Sequence, residues 1–143
     1  MKTHILVTGA SRGIGSAIVA AFDPDMVRVI AVSSKDGDLA DPSIPTKLWS
    51  KALEQLGGRI DVLINNAGVF EANPVDADDS VWRENWNRTM QINLTASAEL
   101  CRLAVLHWQL TKAGGRIVNI ASRAAHRGDS QQCQCLRSHG TPC

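Results

Sequence analysis

The chain has 143 residues, which suits a single domain able to bury roughly 68–70% of its unfolded surface. Apolar residues make up 44%, charged residues 20%, and the formal net charge is +1, so no broad electrostatic attraction to nucleic acid or an anionic membrane is expected. No apolar run approaches the roughly 18 residues of a spanning helix, and three aliphatic residues ahead of Gly9 are too few for a signal-peptide core. Cytoplasmic residence with reduced thiols is the resulting expectation.

Residues 4–8 (HILVT), 27–32 (VRVIAV), 61–65 (DVLIN) and 116–121 (RIVNIA) are short, nearly unbroken apolar runs. Unbroken rather than alternating apolarity, rich in Val and Ile, predicts strands covered on both faces of a parallel sheet. Residues 13–22 predict a helix with Ile14, Ala17, Ile18 and Ala21 on one stripe. A second helix over 46–56 aligns Leu48, Ala52, Leu53 and Leu56. A long helical run covers 79–112, capped by Ser80 and stopped by Gly114-Gly115. Alternating strands and helices predict right-handed βαβ units in an α/β, doubly wound, Rossmann-like sheet.

One crossover is abnormally short. Only a few residues separate the second strand from Asp38, too few for the helix a parallel crossover usually carries, so any strand near 37–40 is expected to be short. From Gln131 onward neither helical nor strand periodicity is visible, which divides the chain into a partial dinucleotide-binding domain over 1–130 and an irregular tail over 131–143. The change is abrupt, as a shifted reading frame would make it. Cys133, Cys135, His139 and Cys143 suggest a zinc set, but one residue between the first two is shorter than structural zinc pairs use, so no metal is expected.

The chemistry concentrates in Thr8-Gly9-Ala10-Ser11-Arg12-Gly13-Ile14-Gly15, directly after a strand and opening a helix. Glycines there let main chain approach a pyrophosphate, and a helix N-terminus offers unpaired N–H groups with a favourable dipole. This segment resembles the cofactor fingerprint of the short-chain dehydrogenase/reductase family. Asn65-Asn66-Ala67-Gly68 resembles that family's second signature, Asn93 its catalytic asparagine, and Ser122 its catalytic serine, in matching order over about 3–130.

The resemblance implies a strand order like 3-2-1-4-5, incomplete on the C-terminal side. It also implies hydride transfer between a nicotinamide and a small-molecule carbonyl or alcohol. Gly9, Ser11, Arg12, Gly13, Ile14, Gly15, Asn66, Ala67 and Gly68 would contact the coenzyme, and Asp38-Leu39 would flank its adenine. Ser33, Ser34 and Lys35 at the end of the second strand, with Arg12, favour NADP over NAD, against the opposing charge of Asp36.

Asn93 and Ser122 would remain of the catalytic set. The family's Tyr-x-x-x-Lys motif would fall at Cys135 or Leu136 and at His139 or Gly140, yet the chain contains no tyrosine. A crippled enzyme is therefore expected, the alternative being a non-catalytic dinucleotide-binding or interaction module. Family members form homo-oligomers through helices that follow the tyrosine, which leaves the assembly of this chain open. An apolar strand at 117–120 on the sheet edge would further invite aggregation.

Overall fold

A computed structural model describes residues 1–122. Its order is β1 (Thr3–Thr8), α1 (Gly13–Ala20), β2 (Val27–Val32), α2 (Ile44–Gln55), β3 (Val62–Asn65), α3 (Asp79–Met90), a π-helical turn (Gln91–Thr95), α4 (Ala96–Thr111) and β4 (Arg116–Asn119). The four strands are parallel in the order β2-β1-β3-β4. The tail and its cysteines lie outside the described residues.

The strands are apolar throughout because both faces are covered. Leu6 and Leu63 point into one core with Leu48, Trp49 and Ala52 of α2 and Leu100, Ala104 and Trp108 of α4. Ile5, Val7 and Ile64 point the other way, where Ile18 and Val19 of α1 and Phe22 pack against them. The alternation of Leu6 with Ile5 and Val7 puts a helix layer on each side, which is the doubly wound arrangement.

Several expectations are corrected. Among the described residues the outer strand of a 3-2-1-4-5 order is absent: residues 33–43 form turns without any strand and run straight into α2. The crossover is too short to return the chain to the sheet edge. Ile14 is not on the buried stripe of α1; it is 62% exposed. Asp78, not Ser80, occupies the cap position of α3, with no side-chain cap bond. The run over 79–112 is one helical path interrupted by the π turn. Apolar periodicity does not reveal such a widening, since its flanks keep ordinary helical spacing.

The start of β3 is tied to both neighbours. The His4 N–H donates to Asp61 Oδ2 at 2.8 Å, Arg59 Nε donates to Asp61 Oδ1 at 2.7 Å, and the Arg116 N–H donates to the Asp61 carbonyl at 2.9 Å. Trp108 Nε1 donates to the Ile60 carbonyl at 2.7 Å, anchoring α4 beneath the same end. No helix among the described residues is long and apolar enough to cross a membrane.

Burial pushes the Asp61 carboxyl up, but the Arg59 guanidinium and the His4 N–H outweigh it and hold it below the ordinary carboxylate value. Its stabilising contribution is therefore present above the unfolded-state value of about 3.9 and is lost as pH falls through the lower folded value. Asp61→Asn is expected to cost about 1–2 kcal/mol at pH 7. Urea melts at several pH values should show the gap between the two proteins closing below about pH 4.

Candidate functional site

The C-terminal ends of β1, β2 and β3 open into one cleft, the usual binding position of an open α/β sheet. Its volume is about 560 Å³, and its walls come from the β1–α1 turn, the loop after β2, the segment after β3, and Arg88 and Ile92. Gly9, Ser11, Arg12, Gly13, Ile14, Ser33, Asp38, Leu39, Asn66, Ala67 and Gly68 all line it. Gly15, Asn93 and Ser122 do not.

The turn is built by backbone needs. Gly9 has φ +66°, and a Cβ there would lie 2.6 Å from Ala67 Cα, so only glycine lets β1 and β3 end this close together. Gly15 is buried inside the turn, where a Cβ would overlap the Gly9 carbonyl and the Asn66 side chain. Gly15 thus shapes the cleft from behind without lining it.

Thr8 and Asn66 fix the two strand ends to one another. Thr8 Oγ1 accepts from the Asn66 N–H at 3.1 Å and from the Ala67 N–H at 3.0 Å, while donating to the Ile64 carbonyl at 3.5 Å. In return Asn66 Nδ2 donates to the carbonyls of Thr8 at 3.1 Å and Gly9 at 3.0 Å. A neighbouring bond runs from Asn65 Nδ2 to Asn119 Oδ1 at 2.9 Å and links β3 to β4.

Helix α1 begins with Arg12 in extended conformation, no side-chain cap bond and no acidic residue in its first turn. Its first N–H groups therefore face the cleft without a side-chain partner, a natural seat for an anion. A Cβ on Gly13 would meet nothing within 4 Å, so the surface above the turn is open. Exposed Ile14 adds an apolar patch to the same wall.

At the end of β2 the Ser33 N–H and hydroxyl both donate to Asp36 Oδ2, at 2.9 and 3.3 Å. Asp36 therefore folds back over the position where Ser33 and Ser34 meet the cleft. Further along, Asp38 Oδ2 accepts from Arg88 Nη1 at 3.2 Å, and Arg88 Nε donates to Glu71 Oε1 at 3.2 Å. The Ala40 N–H first, and Arg88 second, hold the Asp38 carboxyl below its usual value.

Asn93 sits in the π turn, exposed, with Oδ1 accepting from the Val69 N–H at 2.8 Å and Nδ2 donating to the Val69 carbonyl at 2.9 Å. This paired bond holds the segment after Gly68 against the helix. Ser122 is exposed beyond β4. Arg88, Val69, Ile92 and Val32 line the cleft without any motif in the sequence to announce them. Among the apolar ones, Val32 and Ile92 had a local signal as members of a strand and a helix run, whereas Val69 lies in neither.

Comparisons with known proteins bear on the family and the fold. The family profile described as short chain dehydrogenase matches residues 34–134. The short chain dehydrogenase adrF of Penicillium roqueforti is 30% identical over 141 residues, covering 88% of this chain and 54% of that protein. The L-xylulose reductase of Bos taurus is 33% identical over 135 residues, covering 86% and 54%. A solved structure of 4-hydroxyisoleucine dehydrogenase complexed with NADH superimposes with a TM-score of 0.79 at 27% identity, covering 94% of this chain and 62% of that one. The chain spans about half the length of the curated relatives it matches.

Replacing Thr8 by Val keeps its shape but leaves the Asn66 and Ala67 N–H groups unpaired. A loss of about 2 kcal/mol is expected, because a buried donor without a partner costs its full desolvation. Thr8→Ser should retain most of the stability, as read from denaturant midpoints.

Proposed function

The chain belongs to the short-chain dehydrogenase family, and from that membership we propose that it binds a nicotinamide dinucleotide for hydride transfer with a small carbonyl or alcohol substrate. The observation carrying this reading is the uncapped start of α1, opening into a cleft between the glycine turn and Asn66–Gly68. The pyrophosphate would rest on the main-chain amides after Gly9 and on the α1 N-terminus, where the dipole favours negative charge. Gly13 leaves space for it, while Ile14 offers an apolar surface. Asp38 and Leu39 would border the adenine, and Ser33 the adenine ribose. When bound, the coenzyme supplies a hydride donor or acceptor at its nicotinamide C4.

NADP is the favoured form. Arg12 and the Ser33-Ser34-Lys35 turn supply donors and positive charge suited to a 2′-phosphate, and no acidic side chain replaces Ser33 at the strand end. Asp36 opposes this, because its carboxylate holds the Ser33 donors that a phosphate would use. The arrangement therefore supports a preference of modest size.

Asn93 and Ser122 are proposed to act on the substrate side, Asn93 by holding the Val69 segment and a proton-relay water, Ser122 by bonding the substrate oxygen. The absence of any tyrosine removes the family's usual acid/base from this chain. Loss of such a group typically lowers rate by about 10²–10⁴. The same absence favours a second reading, a dinucleotide-binding module without turnover. Mixing NADPH with assorted ketones separates the two: slow, saturable oxidation supports the enzyme reading, and binding without oxidation supports the module.

Gly13→Asp places a carboxylate in the open space above the turn, and aspartate tolerates the positive φ of +55° at that position. It is expected to weaken coenzyme binding by at least about tenfold relative to Gly13→Asn, which carries the same backbone strain at that positive φ without the charge. Equal affinity in Gly13→Asp and the unmodified chain would overturn the pyrophosphate seat. The unmodified chain should bind NADPH more tightly than NADH in the same titrations; the opposite order would remove the NADP preference.

A further inference from the structure

Residues 33–43 carry the adenine wall of the cleft without a helix or strand of their own. The main-chain bonds of this connection are local, the Asp36 N–H to the Ser33 carbonyl and the Asp41 N–H to the Asp38 carbonyl, both at 2.9 Å, so its side chains set its place against the rest of the fold. Leu39 packs against the core, and Gly37 lies beneath Ile44. The polar anchor comes from far away in the chain: Arg88 of α3 reaches across to Asp38 and, with its other edge, to Glu71 in the segment after β3. Arg88 is 39% exposed, Glu71 34% and Asp38 55%, so the guanidinium spans the mouth of the cleft instead of being sealed in the core.

We propose that Arg88 is a positioning residue for the adenine end of the coenzyme, a strut that ties the Asp38-Leu39 wall to α3 and to the Glu71 segment. This deepens the coenzyme-binding reading above and rests on it. The short crossover removes the secondary structure that would otherwise hold that wall, and Arg88 supplies a fixed point in its place. One guanidinium bonding two carboxylates also couples the two sides, because displacement of either loop breaks a shared charge network. Each exposed pair alone is weak, so the strut works by restricting the wall before ligand arrives and not by adding global stability.

The test uses the purified chain, ADP as a probe of the adenine half and NADPH as the whole ligand. Arg88→Met is expected to weaken ADP binding about three- to tenfold, with a melting temperature near that of the unmodified chain. Arg88→Lys should recover part of the loss, since a point charge can satisfy one carboxylate but not both. Asp38→Asn should weaken ADP similarly, and combining it with Arg88→Met should add little, the mark of two residues acting through one contact. Unchanged ADP affinity in Arg88→Met, or fully additive losses in the double variant, would overturn the strut. Failure of the unmodified chain to bind either ADP or NADPH would instead overturn the underlying coenzyme reading. Should Arg88→Met not fold, Asp38→Asn and Glu71→Gln each remove one arm and carry the same comparison.

Discussion

The reciprocal bonding of Thr8 and Asn66 is the constraint on which the cleft depends. One hydroxyl accepts two main-chain N–H groups from the segment that leaves β3, and the Asn66 amide answers by donating to two carbonyls of β1 and its turn. The ends of two parallel strands would otherwise diverge into separate loops with unpaired polar groups. Locked together, they bring Gly9 against Ala67 so closely that no side chain fits between, and α1 begins just beyond with Gly13 and Ile14 on the cleft wall. Local polar pairing thus determines where a ligand can sit.

Much of this was legible in the residues. Strands buried on both faces announce themselves as unbroken Val, Ile and Leu, and the glycine spacing after β1 has meaning because a strand precedes it and a helix follows. The features that escaped are those without local periodicity. The π turn leaves apolar spacing around it ordinary, so the pattern reads as one regular helix. Arg88 meets Asp38 across fifty residues, and nothing near either position marks the partnership. Ile14 reads as core because it is apolar at helical spacing, whereas in the fold it is exposed and lines the cleft.

The two halves of the site differ in how firmly they are built. Around Gly9 and Asn66, main chain is pinned by short bonds between neighbouring strand ends, with Thr8 buried and Gly9, Asn66 and Ala67 half-buried. The wall at residues 33–43 relies on side chains that are partly exposed and on a turn in which Asp36 occupies the Ser33 donors. Preorganisation is therefore strongest where phosphates would rest and weakest where the adenine ribose would be distinguished. Under the proposed reading, discrimination between related coenzymes would fall to the softer part.

The widened turn at Gln91–Thr95 has a consequence for how this surface can vary. An α-helical turn takes 3.6 residues, so a five-residue turn carries about one more than the helix pitch requires. That surplus coincides with Asn93, whose amide clasps Val69. Deletion of one residue here would restore a smooth helix and keep its hydrophobic seam, yet forfeit the clasp. The polar tip is thus carried by a length irregularity, a trait altered by insertion or deletion as readily as by exchange of one amino acid for another.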